Sequence, residues 1–343
     1  MNIKTKKKGI LLTDFVVSKE WDFCQILSEE SSILFDIKCD NKAFSCHAKW
    51  KRLFAYIYTP FCLFFKRMDY SVILSWQQFF GLLYAFYCRI FHTRKWCKLY
   101  IMTFIYKPKK GLIGRIYKCF MTFIVQSKYI DKMIVFSKNE IDYYSTIFNV
   151  PVSKFFYTPL SISEGNKPIV NENLRNEKYV FSTGRSNRDY TTLINVFRQI
   201  KHPLHIACNE LRNNVISSNI HVYGNMFGDE MRNHMYNSFC VAIALKDSNI
   251  SSGQLVLLQA MQMGKPIVCT RCSAISDYLR DGYNALLVNT EEEWIRAIER
   301  LYADVDLYNT LSLNAYNEYL TNYSSDCMAK SIGKLINDDF YGN

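Results

Sequence analysis

The sequence predicts an α/β fold of two domains, each a mainly parallel sheet covered by helices. Three observations carry this. Short apolar, β-rich runs alternate with helical patterns of about 10–15 residues, the signature of βαβ units. A polar, turn-rich stretch, "SISEGNKPIVNENLRNE" at 161–177, interrupts the alternation, which then restarts. The chain has 343 residues, more than one hydrophobic core usually serves.

The elements follow in order. Ile33–Ile37 reads as a strand, and Trp50–Arg67 as a helix interrupted at Pro60, because proline removes a helical hydrogen bond. "SVILS" at Ser71–Ser75 is a buried strand followed by a helix over Gln78–Phe91. Leu99–Phe104 and Met133–Phe136 are strands, and Gly111–Gln126 is the helix between them. Ser137, with Glu140 three residues on, fits a capping box opening a helix to Phe148, and Pro151 stops that pattern. After the linker, Tyr179–Thr183, His205–Cys208, His221–Tyr223, Val241–Leu245 and Ile267–Cys269 read as strands. Helices are expected over Tyr190–Ile200, Glu230–Phe239, the apolar run after Gly253, and Glu291–Tyr302. The boundaries are 1–160 for the first domain, 161–322 for the second, and 323–343 for a helical tail packing back on the first.

Composition is globular, with 49% hydrophobic and 21% charged residues. The twelve cysteines are scattered, many inside apolar runs (Cys62, Cys88, Cys119, Cys240), and read as reduced, buried thiols of a cytoplasmic protein. No signal peptide is expected, since the apolar stretch Gly9–Leu12 is cut off by Asp14. The longest uncharged apolar run, Leu53–Phe65, has 13 residues, whereas a spanning helix needs about 20.

Charge is uneven. Residues 1–160 hold 25 Lys and Arg against 11 Asp and Glu, a net of +14, and residues 161–343 hold 17 against 20, a net of −3. In "KWKRLFAYIYTPFCLFFKR" and "HTRKWCK" the basic residues mingle with aromatics, as on surfaces that meet anionic membranes. No nucleic-acid motif accompanies the charge, so an anionic membrane surface is the expected partner and nucleic acid is not. Cys269-x-x-Cys272 stands without partner ligands, and the six histidines show no pairing pattern, so no metal site is expected.

In the second domain three loops follow strands and should share one sheet edge: Gly184–Asp189, Tyr223–Asn225 and Lys246–Gln254. Together they offer Arg185, Arg188, Lys246, Ser251, Ser252, Gly253 and a helix N-terminus at Gly253–Gln254. Free helix-terminal N–H groups and arginine forks suit phosphate oxygens, and glycine lets backbone approach a ligand closely. In the first domain, Trp76 and Gln77 lie just beyond a strand end, where they suit stacking on and hydrogen-bonding to a sugar acceptor.

"SSGQLVLLQAMQMGKPIVCTRCSAISDYLRDGYNALLV", followed by "EEEWIRAIERLY", resembles the donor-binding half of the retaining GT-B glycosyltransferases of family 4. "TGRSNRDYTTLINVF" and "VFSKNEIDYYSTIFNVPVSKFFYTPLSI" resemble that family's opening of the second domain and crossing between domains, so the resemblance covers about residues 131–322. It implies two facing Rossmann-like domains with a cleft between them, a nucleotide-sugar donor on the second and a glycan or lipid-linked acceptor on the first. By position, Arg185 and Arg188 would contact the diphosphate, Arg188 replacing a lysine. The amides around Gly253, Gln254 and Leu255 would hold phosphate, and Gln259 would take the ribose hydroxyls in place of a glutamate. Ser251, eight residues before Gln259, stands where the family carries its other glutamate. The resemblance further implies transfer with retention, no obvious protein nucleophile and no required metal or other cofactor. The expected function is sugar transfer in surface polysaccharide biosynthesis at the inner membrane face; the alternative is an inactive GT-B binding or scaffold protein.

Overall fold

The computed structural model describes residues 7–17, 21–40, 49–163, 165–211, 217–246, 252–272 and 275–342, with the side chains of 49–52 left aside. The chain forms two compact units, one of Met1–Thr158 with Met328–Asn343, the other of Pro159–Cys327.

The first unit holds six parallel strands, β1 (Lys8–Thr13), β2 (Leu34–Cys39), β3 (Val72–Ser75), β4 (Lys98–Ile101), β5 (Lys132–Val135) and β6 (Phe155–Tyr157). Their order is β2-β1-β3-β4-β5-β6. The chain runs outward from β1 to β2, then returns to the other side of β1, so the direction of winding reverses between β1 and β3. Open parallel sheets bind ligands beyond the strand carboxyl ends at such a reversal. The apolar face of this sheet packs with Phe80, Tyr84, Ile124 and Phe148 from the covering helices and with Phe104 from the loop after β4.

Three details correct the sequence reading. Residues Gly9–Leu12 belong to β1, an interior strand whose last five residues are buried; the run is short and follows a lysine cluster, which hid it. The helix Lys49–Phe65 passes through Pro60 without ending. Ala55, Thr59, Leu63 and Phe64 are buried along one face, and this burial against the helix Gln78–Ile90 offsets a proline penalty of about 3 kcal/mol. Cys119 is exposed, as is Cys39. The eleven described cysteines are free thiols. Burial pushes the thiols of Cys24 and Cys97 up to about 11 and that of Cys240 to about 12, so these stay protonated and unreactive.

The helix Ser325–Tyr341 carries the chain end onto the first unit. Gly333 lies so close to the helix Asp22–Ser31 that a β-carbon there would fall 2.5 Å from the Glu30 side chain. Tyr100 donates to the Asp339 carboxylate at 2.7 Å, and Lys7 sits 4.0 Å over the Phe340 ring.

The second unit repeats the architecture with β7 (Val180–Thr183), β8 (Leu204–Ala207), β9 (Ile220–Tyr223), β10 (Cys240–Ile243), β11 (Ile267–Thr270) and β12 (Leu286–Val288). All pair in parallel in the order β12-β11-β10-β7-β8-β9, which puts the reversal between β7 and β10. Each face has its own core. Phe181, Val241 and Ile243 pack with Leu257, Leu258 and Met261 on one side. Val180, Ile206 and Val268 pack with Phe197, Trp294 and Ile298 on the other.

Candidate functional site

In the second unit the loops after β7 and β10 meet at the carboxyl edge where winding reverses, and their backbones are zipped together. The N–H of Asp189 donates to the Ala244 carbonyl at 3.0 Å, and that of Lys246 to the Asn187 carbonyl at 3.2 Å. Arg188 and Leu245 form an antiparallel bridge between them. The Asn187 amide donates to the Ser252 hydroxyl at 3.0 Å. Asp189 then caps the helix Tyr190–Gln199 by accepting from the Thr192 N–H. Below them Thr270 anchors the second loop by accepting from the Leu245 N–H at 3.0 Å.

Arg188 is the centre of this clamp. It is 8% exposed. Its Nε donates to the Thr183 carbonyl at 2.9 Å and its Nη1 to the Ser186 carbonyl at 3.0 Å. Burial draws its guanidinium below the ordinary arginine range, yet arginine stays protonated. No carboxylate pairs with it among the described residues, where two backbone carbonyls accept from its guanidinium. Two glycines make room. Gly184 has φ +121°, and a β-carbon there would fall 2.6 Å from the Arg188 Nε and Cζ. Gly253 has φ +92°, with the Arg188 Nη1 3.7 Å from where its β-carbon would be.

Gly253 is also the cap of the helix Gln254–Gln262, whose first turn carries no acidic residue. A glycine cap brings no side chain of its own to the first-turn amides, and the positive end of a helix dipole favours an anion. Leu255 is exposed beside it. Farther along the helix, the Gln259 Oε1 is buried with no hydrogen-bond partner. Arg185 and Lys246 are exposed at the same edge. Near Arg185, the Glu210 carboxyl is held below its ordinary range, mainly by the Cys208 thiol that donates to it at 3.1 Å, with Arg185 adding to the effect.

The reversal point thus gathers Arg185, Arg188, Lys246, Ser252, Gly253, Gln254, Leu255 and the helix carrying Gln259. Ser251 lies outside the described residues. The third loop stands apart: β9 is separated from β7 by β8, and the Asn225 N–H is tied to the Asn209 side chain after β8 at 2.6 Å.

In the first unit Trp76 and Gln77 follow β3 at its reversal point, and both have structural partners. Trp76 packs against Trp21 and Phe23, each at 5.1 Å between ring centroids, and against Phe15 at 5.8 Å. The Gln77 amide donates to Asp14 at 2.7 Å and to the Tyr56 hydroxyl at 3.3 Å, while its oxygen caps the helix Gln78–Ile90. Asp14 had no sequence signal, because its position depends on recognising β1. The histidines also depart from the sequence reading: His205, His221 and Glu177 converge on one face of β8 and β9.

Sheet order and reversal points define a two-domain α/β fold of the GT-B type, and comparison with known proteins agrees. Residues 177–304 match the family model of group 1 glycosyl transferases. No curated protein sequence matches the chain. Among solved structures, Anabaena Alr3699/HepE in complex with UDP is similar with a TM-score of 0.67 at 12% identity, over 98% of this chain and 100% of that one. The sucrose-phosphate synthase of Thermosynechococcus elongatus aligns with a TM-score of 0.70, also at 12% identity and over the same shares of each chain. WaaG, a glycosyltransferase involved in lipopolysaccharide biosynthesis, aligns with a TM-score of 0.64 at 13% identity, over 98% of this chain and 100% of its own. At such identities the likeness is one of fold.

Proposed function

We propose that the protein is a glycosyltransferase that moves a sugar, with retention, from a nucleotide-sugar donor to a glycan or lipid-linked acceptor in surface polysaccharide assembly. One observation carries the reading: the buried Arg188, which pairs with no carboxylate among the described residues, and the glycine-capped N-terminus of the helix Gln254–Gln262 meet at the β7/β10 reversal. The family-model match over residues 177–304 takes in all of these residues. HepE has been solved with both UDP and UDP-glucose, which supports a nucleotide-sugar ligand.

In this reading Arg185, Arg188, Lys246 and the amides from Ser252 to Leu255 hold the diphosphate, and Gln259 holds the ribose. As the bond from sugar to diphosphate breaks, negative charge grows on the leaving oxygen. Fixed positive groups stabilise it without reorganising, which is usually the largest catalytic term. The scheme asks for no metal and no other cofactor. The acceptor belongs to the first unit, near Trp76 and Gln77.

The net +14 of residues 1–160 supports a peripheral position on an anionic membrane, the inner face of a cell membrane in this reading. The helix Gly111–Val125 exposes Leu112 (72%), Ile113 (74%) and Ile116 (62%) beside Lys109, Arg115 and Lys118. No helix among the described residues is long and apolar enough to cross a membrane. A second reading, a GT-B protein that binds without transferring, is favoured by the uncharged Ser251 and Gln259 at both positions where the resembling family carries glutamate.

Arg185→Ala tests the donor assignment. Arg185 is exposed, so its loss should leave the fold intact. Removing charged hydrogen bonds worth about 1.5–3 kcal/mol should weaken nucleotide-sugar binding by about tenfold or more. Unchanged affinity by titration calorimetry would sink the assignment.

A further inference from the structure

Glu177, His205 and His221 lie far from the loops described above, at the opposite end of the strands. Glu177 ends the short helix Glu172–Glu177 just before β7. His205 and His221 are each the second residue of a four-residue strand, and they are Cα partners in the parallel register of β8 and β9. The phosphate-binding edge, by contrast, is the carboxyl edge. Each of the three residues brings one donor atom, and these atoms all lie within 4.8 Å of one another.

The cluster is anchored on one side and open on the other. His205 is 1% exposed. Its ring stacks on Tyr179 at 3.9 Å and 18°, and the Tyr179 hydroxyl is itself fixed on the His234 carbonyl at 2.6 Å. The His205 Nε2 faces the Glu177 carboxylate at 2.9 Å, and its Nδ1 lies 3.5 Å from the Tyr223 hydroxyl. His221 meets the His205 ring edge-on, with centroids 5.2 Å apart. Glu177 and His221 are both exposed, so their side chains can turn inward while His205 stays fixed.

We propose that Glu177, His205 and His221 form a binding site for a divalent transition-metal ion, zinc above all. Two imidazole nitrogens and one carboxylate oxygen are a borderline donor set, suited to zinc and unsuited to magnesium or calcium. Zinc bonds of about 2.0–2.2 Å need the three donor atoms somewhat closer than they stand, which rotation of the two exposed side chains supplies. Water completes the tetrahedron on the open side. The Tyr223 hydroxyl is placed to accept from the second nitrogen of His205, the outer-shell partner that ligating histidines usually have. The ion would tie the segment entering the second unit to β8 and to the edge strand β9. It is a structural staple remote from the transfer chemistry.

The test uses the full chain, dialysed against chelator, with zinc chloride titrated in competition with a chromogenic chelator. The expected result is one equivalent bound, with affinity falling at least about tenfold in His221→Ala and in Glu177→Gln. His202→Ala removes an imidazole stacked on Tyr302 instead and should leave affinity unchanged. Cobalt should give the visible absorption of a tetrahedral site in the parent and lose it in His221→Ala. His221 is exposed, so that variant should keep its circular dichroism and melting temperature without metal. Absence of saturable binding would overturn the proposal. So would one equivalent held equally by both ligand variants, which would assign the ion to the cysteines.

Discussion

The link between Gly184 and Arg188 can be tested directly. Gly184→Ala would place a β-carbon 2.6 Å from the Arg188 Nε and Cζ at a residue with φ +121°. Neither side yields easily. The backbone conformation is one that L-residues rarely adopt, at a cost of about 1–3 kcal/mol. The guanidinium is buried and committed to the Thr183 and Ser186 carbonyls, and losing one such charged hydrogen bond costs about 1.5–3 kcal/mol. The substitution should therefore destabilise the second unit by about 3 kcal/mol or more. In an Arg188→Ala background the collision disappears and only the backbone strain remains, so the two changes should couple by about 1.5–3 kcal/mol. Of the five tryptophans, Trp294 alone lies in the second unit, and it is buried. With the other four replaced by phenylalanine, urea unfolding followed by Trp294 fluorescence reports on that unit. Additivity within about 0.5 kcal/mol would refute the claim that Gly184 exists to seat Arg188.

Two further outcomes are expected. Gln259→Met removes a buried oxygen that has no partner while keeping volume, so it should stabilise the free protein by about 1–2 kcal/mol in the same assay and weaken nucleotide-sugar binding; destabilisation would show that Gln259 is already satisfied. Vesicles with anionic lipid should retain the protein and neutral vesicles should not, and replacing Lys109, Arg115 and Lys118 by Gln should cost about 1 kcal/mol each in partition measured by co-sedimentation. Equal retention on both vesicle types would remove the membrane reading.

Much of the fold was legible because parallel strands buried on both faces read as short, continuous apolar runs, such as "SVILS" and "VAIAL". β1 escaped notice because "KGILLT" is short and enters from a lysine cluster, and with it went Asp14. Pro60 misled in the opposite direction: a rule about backbone hydrogen bonds was outweighed by burial along the helix. Sequence position alone marks Arg188 as a ligand, while its packing against Gly184 and its hold on the Thr183 and Ser186 carbonyls belong to tertiary structure and have no sequence signature. The Glu177, His205 and His221 cluster was invisible for a similar reason. Its members come from three separate segments, and only the register of β8 on β9 sets the two imidazoles side by side.

The most direct test of the central claim is a thermal-shift panel of UDP, GDP, ADP and CMP, each also offered with common sugars attached. At about 100 times the dissociation constant, a ligand that binds only the folded state adds about 2.7 kcal/mol of stability. One nucleotide should stand out, and its shift should collapse in Arg185→Ala. No shift from any member of the panel would contradict a nucleotide-sugar site at the β7/β10 reversal.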